Sequence, residues 1–202
     1  MSDFTSLLAQ QNPGGQSVLA LAGGFVAPLA DLAILAARGE DAATFLHNQL
    51  TNDVEHLAGS GSVRLAGYCT PKGRLLATML LWQSEDAIWL QTAADLAPAL
   101  QKRLQMFVLR SKVKLAAGER FALGLGGAQA AAALAPWFPT LPAQPYALLS
   151  NDHGTVLRVA DAFGAPRFQW IAPELALLAA WPQLTATLHA AGPEAWRLSE
   201  IH

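Results

Sequence analysis

GYCTPKGRLLATMLLW, from Gly67 to Trp82, decides how this chain is read. Thr70-Pro71-Lys72-Gly73 is a turn, because proline presets its own backbone angle and glycine accepts a positive φ. The run that follows, Leu75–Trp82, is almost unbroken in apolar residues and reads as a buried strand. A second such run, AIWLQTA (Ala87–Ala93), comes after Gln83-Ser84-Glu85-Asp86. The two read as an antiparallel hairpin with a longer loop.

Working outward, LADLAILAARG (Leu29–Gly39) reads as a strand closed by a glycine. Glu40 and Asp41 suit the positive end of a helix dipole, and Phe45, Leu46, Gln49 and Leu50 fall near one helical face. Asp95 to Leu109 reads as a helix with an apolar stripe of Leu96, Leu100, Leu104, Phe107 and Val108, and SKVKLAA (Ser111–Ala117) alternates like a strand. A second set follows: strand FALGLGG, helix AQAAAALAPW, strands PYALLS, TVLRVADAF and RFQWIA, and a helix over Pro173–Ala191 that Pro182 should kink or divide. The order strand–helix–strand–strand–helix–strand thus occurs roughly twice. The expected class is α+β with two related lobes, not a parallel doubly wound sheet. The division this predicts is a tail over 1–24, a first lobe over 25–118 and a second over 119–202, with interleaving of the lobes left open.

With 202 residues, one large domain or two small lobes are within reach. Hydrophobic residues make up 52% and charged residues 14%, so a core is easily filled and part of the apolar surface is expected to be covered by a partner, a ligand or a missing domain. Lys plus Arg is 13 against 15 for Asp plus Glu, which is not the basic excess of a nucleic-acid binder. A single cysteine excludes a disulfide framework and a multi-cysteine metal or cluster site within the chain, and suits a reducing compartment. Asp3 stands where a signal peptide would be basic, and no uncharged run reaches membrane-spanning length. The expectation is a soluble cytoplasmic protein with no membrane or direct nucleic-acid partner.

Candidate site residues each carry two readings. Cys69 as a nucleophile needs a base, and none is near in sequence; otherwise it is a small, part-buried strand residue. Lys72 and Arg74 either hold a carboxylate or phosphate tail or are solvated turn residues. Lys102, Arg103, Arg110, Lys112 and Lys114 are either an anion or RNA site or ordinary cations on and after a helix. The five histidines show no metal-ligand spacing, and Gly124-Leu125-Gly126-Gly127 lacks the last glycine of a dinucleotide fingerprint. Trp196, beside Arg197 and Glu200, is either a core tryptophan or a platform for a flat heterocycle whose edge polar groups read.

Four stretches in this order resemble one family: FLHNQLTNDV (Phe45–Val54), YCTPKGRLLATMLLW (Tyr68–Trp82), LQMFVLRSKVKL (Leu104–Leu115) and AWRLSEI (Ala195–Ile201). They are similar to the YgfZ-type folate-binding proteins, relatives of the glycine-cleavage T-protein, an aminomethyltransferase. The resemblance implies a T-protein-type fold of paired, ferredoxin-like α+β lobes around a folate channel. It also implies tetrahydrofolate or a derivative as ligand, iron–sulfur enzymes as partners, and a role in iron–sulfur protein maintenance and tRNA modification. The full-length form is expected to be a monomer. Trp196 matches a tryptophan lining the folate site, and Leu32 stands where some relatives carry a second one. Tyr68 and Asp53 are candidates for the channel wall, and Lys72 and Arg74 for holding the glutamyl tail. T-proteins carry an acidic residue on the strand after the glycine turn. Here that strand holds Leu76 and Ala77, so the resemblance points away from aminomethyl transfer. It further implies that the chain stops before the family's Lys-Gly-Cys-Tyr-Thr-Gly-Gln-Glu signature and C-terminal β-barrel, leaving a third reading, an interaction module without folate.

Overall fold

A computed structural model describes residues 18–201, and the N-terminal turn signals at Asn12–Gly15 lie outside them. The chain forms two compact units that do not follow chain order. Asp31–Glu119 forms one unit, called here the inserted unit, and the described residues up to Ala30 join those from Arg120 onward in the other, the outer unit. The described end of the stretch expected as a tail is a helix, α1 (Val18–Gly23), and the four-residue strand after it, β1 (Phe25–Pro28), expected in the first lobe, joins a sheet completed a hundred residues later.

The inserted unit runs β2 (Leu32–Arg38), α2 (Ala42–His47), β3 (Arg64–Cys69), β4 (Leu75–Ser84), β5 (Ala87–Ala93), α3 (Ala97–Phe107) and β6 (Lys114–Ala117). Its five-stranded sheet has the order β3-β4-β5-β2-β6, antiparallel throughout. The hairpin read from Leu75–Trp82 and Ala87–Ala93 is present, with a tighter turn than expected. Ser84 pairs with Ala87, so only Glu85 and Asp86 turn the chain, and Glu85 takes φ +56. Both helices cover one sheet face. Phe45 and Leu46 of α2 and Leu100 and Leu104 of α3 pack on Leu35, Met79, Leu81 and Leu90. Each fully buried leucine there contributes about 2 kcal/mol.

The outer unit continues with β7 (Phe121–Gly126), α4 (Ala130–Leu134), β8 (Leu148–Asn151), β9 (Gly154–Ala162), β10 (Ala165–Ala172), α5 (Glu174–Thr185), β11 (His189–Ala190) and α6 (Pro193–Ser199). Its sheet order is β11-β1-β7-β10-β9-β8, antiparallel except where β1 meets β11. The α+β class with two related lobes is what the molecule has; the inserted unit carries one strand more than the sequence pattern suggests and the outer unit two more. The helix expected over Pro173–Ala191 runs unbroken through Pro182 but ends at Thr185. Thr185 Oγ1 donates to the carbonyls of Trp181 and Pro182 at that end, and the chain then straightens into β11. Among the described residues, no helix is long and apolar enough to cross a membrane.

Candidate functional site

The two faces of the outer sheet are used differently. Leu123, Leu125, Phe168 and Trp170 point to the face covered by α4 and α5. By strand alternation, Gly124 of β7 and Arg167 of β10 point to the other face. There α6 packs against β1 and β7. Pro193 at its first turn is preset for a helix start. Trp196 comes down on Gly124, where the absence of a side chain makes room: a Cβ at that position would lie 2.4 Å from a Trp196 ring carbon.

Arg167 completes the group. Its guanidinium lies over the Trp196 ring, 4.8 Å from the centroid. Its Nε donates to the Ala160 carbonyl at 2.8 Å and its Nη1 to Ser199 Oγ at 2.8 Å. The Ser199 hydroxyl in turn donates to the Trp196 carbonyl at 2.6 Å, closing a loop of contacts back to the ring's own backbone. Both partners are buried, Arg167 5% and Trp196 2% exposed. Burial pulls the Arg167 pKa down from its ordinary value, and the charges of Glu200, Tyr146 and Asp161 work against that. No carboxylate of the described residues reaches ion-pair distance of Arg167. Trp196 Nε1 is a buried donor with no hydrogen-bond partner. A buried cation without an ion-pair partner among the described residues and a buried N–H without an acceptor therefore sit side by side, an arrangement that a flat group rich in acceptors can satisfy.

The other expected site residues belong to the inserted unit, and the structure separates them. Leu32 is half-buried on β2 and, by alternation with Leu35 and Ala37, faces away from the helices. Tyr68 is 5% exposed and belongs to the helix-side core, so it looks to the opposite face from Leu32. Asp53 is occupied in folding its own loop. Its carboxylate takes Arg64 Nη1 at 2.9 Å, His56 Nδ1 at 2.7 Å and the backbone N–H groups of Glu55 and His56. The Arg64 bond, seconded by His56, holds its pKa far below the usual carboxylate range. His47 Nδ1 lies 3.4 Å from the same carboxylate and accepts the Val54 N–H at 3.3 Å.

Lys72 and Arg74 are exposed on the β3–β4 turn. The Gly73 N–H donates to the Thr70 carbonyl, the Arg74 N–H donates to Thr70 Oγ1, and Gly73 takes the φ of +77 that the turn requires. Neither cation has an ion-pair partner among the described residues. Cys69 is free and half-buried. From the basic stretch, Lys112 pairs with Glu40 at 2.7 Å on the surface. The residue that sequence reasoning missed is Arg167, which there only interrupts an apolar run. Its alternation in phase with the small residues of β7 becomes a signal once the strand pairing is known.

No family model matches the chain. Among curated proteins it is 31% identical over 131 residues to the tRNA-modifying protein YgfZ of Shigella boydii serotype 4, covering 64% of this chain and 40% of the relative. The YgfZ of Escherichia coli K12 matches over the same extent. This chain is similar to YgfZ. The resemblance read in the four motifs is thereby borne out, and the chain spans about two fifths of the YgfZ proteins it matches. Among solved structures, the glycine cleavage system aminomethyltransferase T of Bartonella henselae superposes with a TM-score of 0.74 over 86% of this chain and 49% of its own, at 22% identity. Heterotetrameric sarcosine oxidase from Corynebacterium sp. U-96, in complex with pyrrole 2-carboxylate, gives 0.56 over 91% and 89% at 15% identity. These two likenesses show the T-protein type of fold that the YgfZ resemblance implies.

Proposed function

We propose that this YgfZ-like chain binds tetrahydrofolate or a derivative at the Trp196 group of the outer unit. In this reading it serves iron–sulfur protein maintenance in the cytoplasm and, through iron–sulfur enzymes, tRNA modification. The observation that carries the reading is the indole N–H without an acceptor beside a buried guanidinium without a carboxylate. A pterin offers ring nitrogens and a carbonyl along one edge, which suits both donors. Because Arg167 already lies over the ring, the part left to Trp196 is to donate from its edge within a packed apolar setting. Arg167 supplies positive charge beside it, held in place by Ser199 and the Ala160 carbonyl. Lys72 and Arg74, exposed and without ion-pair partners among the described residues, and Leu32 belong to the inserted unit and are given no part in this proposal. Tyr68 and Asp53 are not needed by this proposal, since one sits in the helix-side core and the other is spent on its loop.

Folate itself supplies one-carbon chemistry when bound, and this chain offers little to exploit it. Strand β4 carries no acidic side chain anywhere from Leu75 to Ser84, so no carboxylate there orients or protonates a reacting nitrogen. Aminomethyl transfer is therefore not expected.

The test is isothermal titration of the intact chain with tetrahydrofolate, beside Trp196→Phe, which keeps the ring and removes the N–H. Saturable micromolar binding, weakened about tenfold in the variant, is the expected result. A wild-type titration without heat above dilution sinks the reading. Equal affinities in both proteins remove the hydrogen-bonding role from Trp196.

A further inference from the structure

On its helix-bearing side the inserted unit has a cleft between α3 and the strands β3 and β4, about 190 Å³ in volume. Its walls include Tyr68, Leu76, Ala77, Leu96, Leu100 and Arg103, and they are almost entirely apolar. The cause lies in the sequence of α3. Ala97, Leu100 and Leu104 point into the core, and the apolar stripe extends past them. At helical spacing, Leu96, Arg103, Met106 and Phe107 continue it onto an open flank. Met106 is 58% and Phe107 51% exposed, so the flank forgoes burial that an apolar partner would supply.

Size and charge narrow the occupant. A dry cavity of about 150 Å³ takes up one benzene, whereas small-molecule sites span roughly 300–1,000 Å³. The cleft therefore suits a single leucine or aromatic side chain, and the exposed strip beyond it suits the chain that carries such an anchor. Arg103 in the wall and Lys102 beside it have no ion-pair partner among the described residues. The glutamines on the other side of α3, Gln101 and Gln105, both donate to the Leu115 carbonyl. No acidic residue lies within α3, and Asp95 precedes it.

We propose that this cleft and the adjoining flank of α3 form a docking groove for a polypeptide partner that inserts one leucine or aromatic side chain and sets a carboxylate against Arg103. The groove lies wholly within the inserted unit and owes nothing to the Trp196 group. The partner is anchored by one desolvated side chain and oriented by one charge, the usual economy of a small interface.

The experiment is selection of a random peptide library displayed on phage against the intact chain, with anisotropy titration of the enriched peptides. Two variants at exposed positions probe the groove: Ala99→Trp, which fills the cleft, and Arg103→Glu, which reverses its charge. The expected result is enrichment of peptides with one Phe, Leu or Trp flanked by Asp or Glu, each losing about tenfold or more in affinity to either variant while the thermal melts stay unchanged. Absence of enrichment, or binding indifferent to both variants, overturns the proposal. So does 3-phenylpropionate binding as tightly as the peptides, which makes the cleft a small-molecule site. Sedimentation that shows a dimer dispersed by Ala99→Trp gives the groove to a second copy instead.

Discussion

The inserted unit and the outer unit are the same topology built twice. β2, α2, β3, β4, β5, α3 and β6 correspond in order to β7, α4, β8, β9, β10, α5 and β11. The sheets read β3-β4-β5-β2-β6 and β8-β9-β10-β7-β1-β11, so they agree strand for strand except for β1. That strand is wedged between β7 and β11, where the inserted unit joins β2 directly to β6. The wedge preserves direction, since β11 runs parallel to β1 and hence antiparallel to β7, as β6 does to β2. One layout thus accepts either five or six strands because a strand pairs through its backbone, whatever its side chains.

The two units differ in how the connection after their first helix is secured. In the outer unit it brings aromatics. Trp137 stands 4.9 Å from Trp170 and Phe138 meets the same ring edge-on at 5.6 Å, while Trp170 Nε1 donates to the His153 carbonyl. In the inserted unit Leu50, Val54 and Leu57 are the apolar anchors and the Asp53 carboxylate gathers the loop around itself. One connection depends on buried area and the other on charge-assisted hydrogen bonds, so the units should fail under different conditions.

The largest effect is expected from Trp170→Ala, which removes the ring that Trp137 and Phe138 pack against. It should cost about 3–5 kcal/mol and melt the outer unit first, as near-ultraviolet circular dichroism during denaturation would show. Retained cooperativity with a small loss would mean the aromatics are not the keystone of that unit. Gly124→Ala should come next. Its Cβ meets the Trp196 ring, and neither the strand nor the packed ring has room to yield, so about 1–3 kcal/mol of stability and most of any tetrahydrofolate affinity should go together. A stable variant with intact binding would place the ligand elsewhere.

Asp53→Asn tests the inserted unit through pH. The folded-state pKa of Asp53 is depressed, so its stabilisation is present above the unfolded value of about 4 and is lost as pH falls below it toward the folded pKa. The variant should have a lower denaturation midpoint at pH 7 and converge with the parent in acid. Parallel pH curves would deny the carboxylate its part. The smallest effect belongs to Lys72→Ala with Arg74→Ala. On an exposed turn without ion pairs, stability should move by no more than about 0.5 kcal/mol. A larger loss in the denaturation midpoint would mean that the turn makes contacts its exposure does not show.

Long elements were legible in the sequence because their patterns are local. Leu75–Trp82 and Ala87–Ala93 are strands by their own composition, and α3 is a helix by its own spacing. β1, β3 and β11 were not. Phe25–Pro28 is too short to declare itself, and it is a strand because β7 and β11 flank it. His189–Ala190 continues an alanine-rich helical run in composition and becomes β11 through its pairing with β1. Trp196 was legible as a site candidate from its resemblance to a family motif, and α6, the helix that carries it, was not.

By itself the sequence determined the α+β class, the doubling of the pattern, the turn at Thr70–Arg74 and the likeness to YgfZ, because each is written in the order and spacing of neighbouring residues. Tertiary structure alone decided that one lobe is inserted into the other, that Leu32 and Tyr68 face opposite ways, and that Asp53 serves its loop. It also set Arg167, Gly124 and Trp196 together from three separate stretches of the chain. Strand pairing and side-chain alternation make such meetings, and neither leaves a trace in local composition.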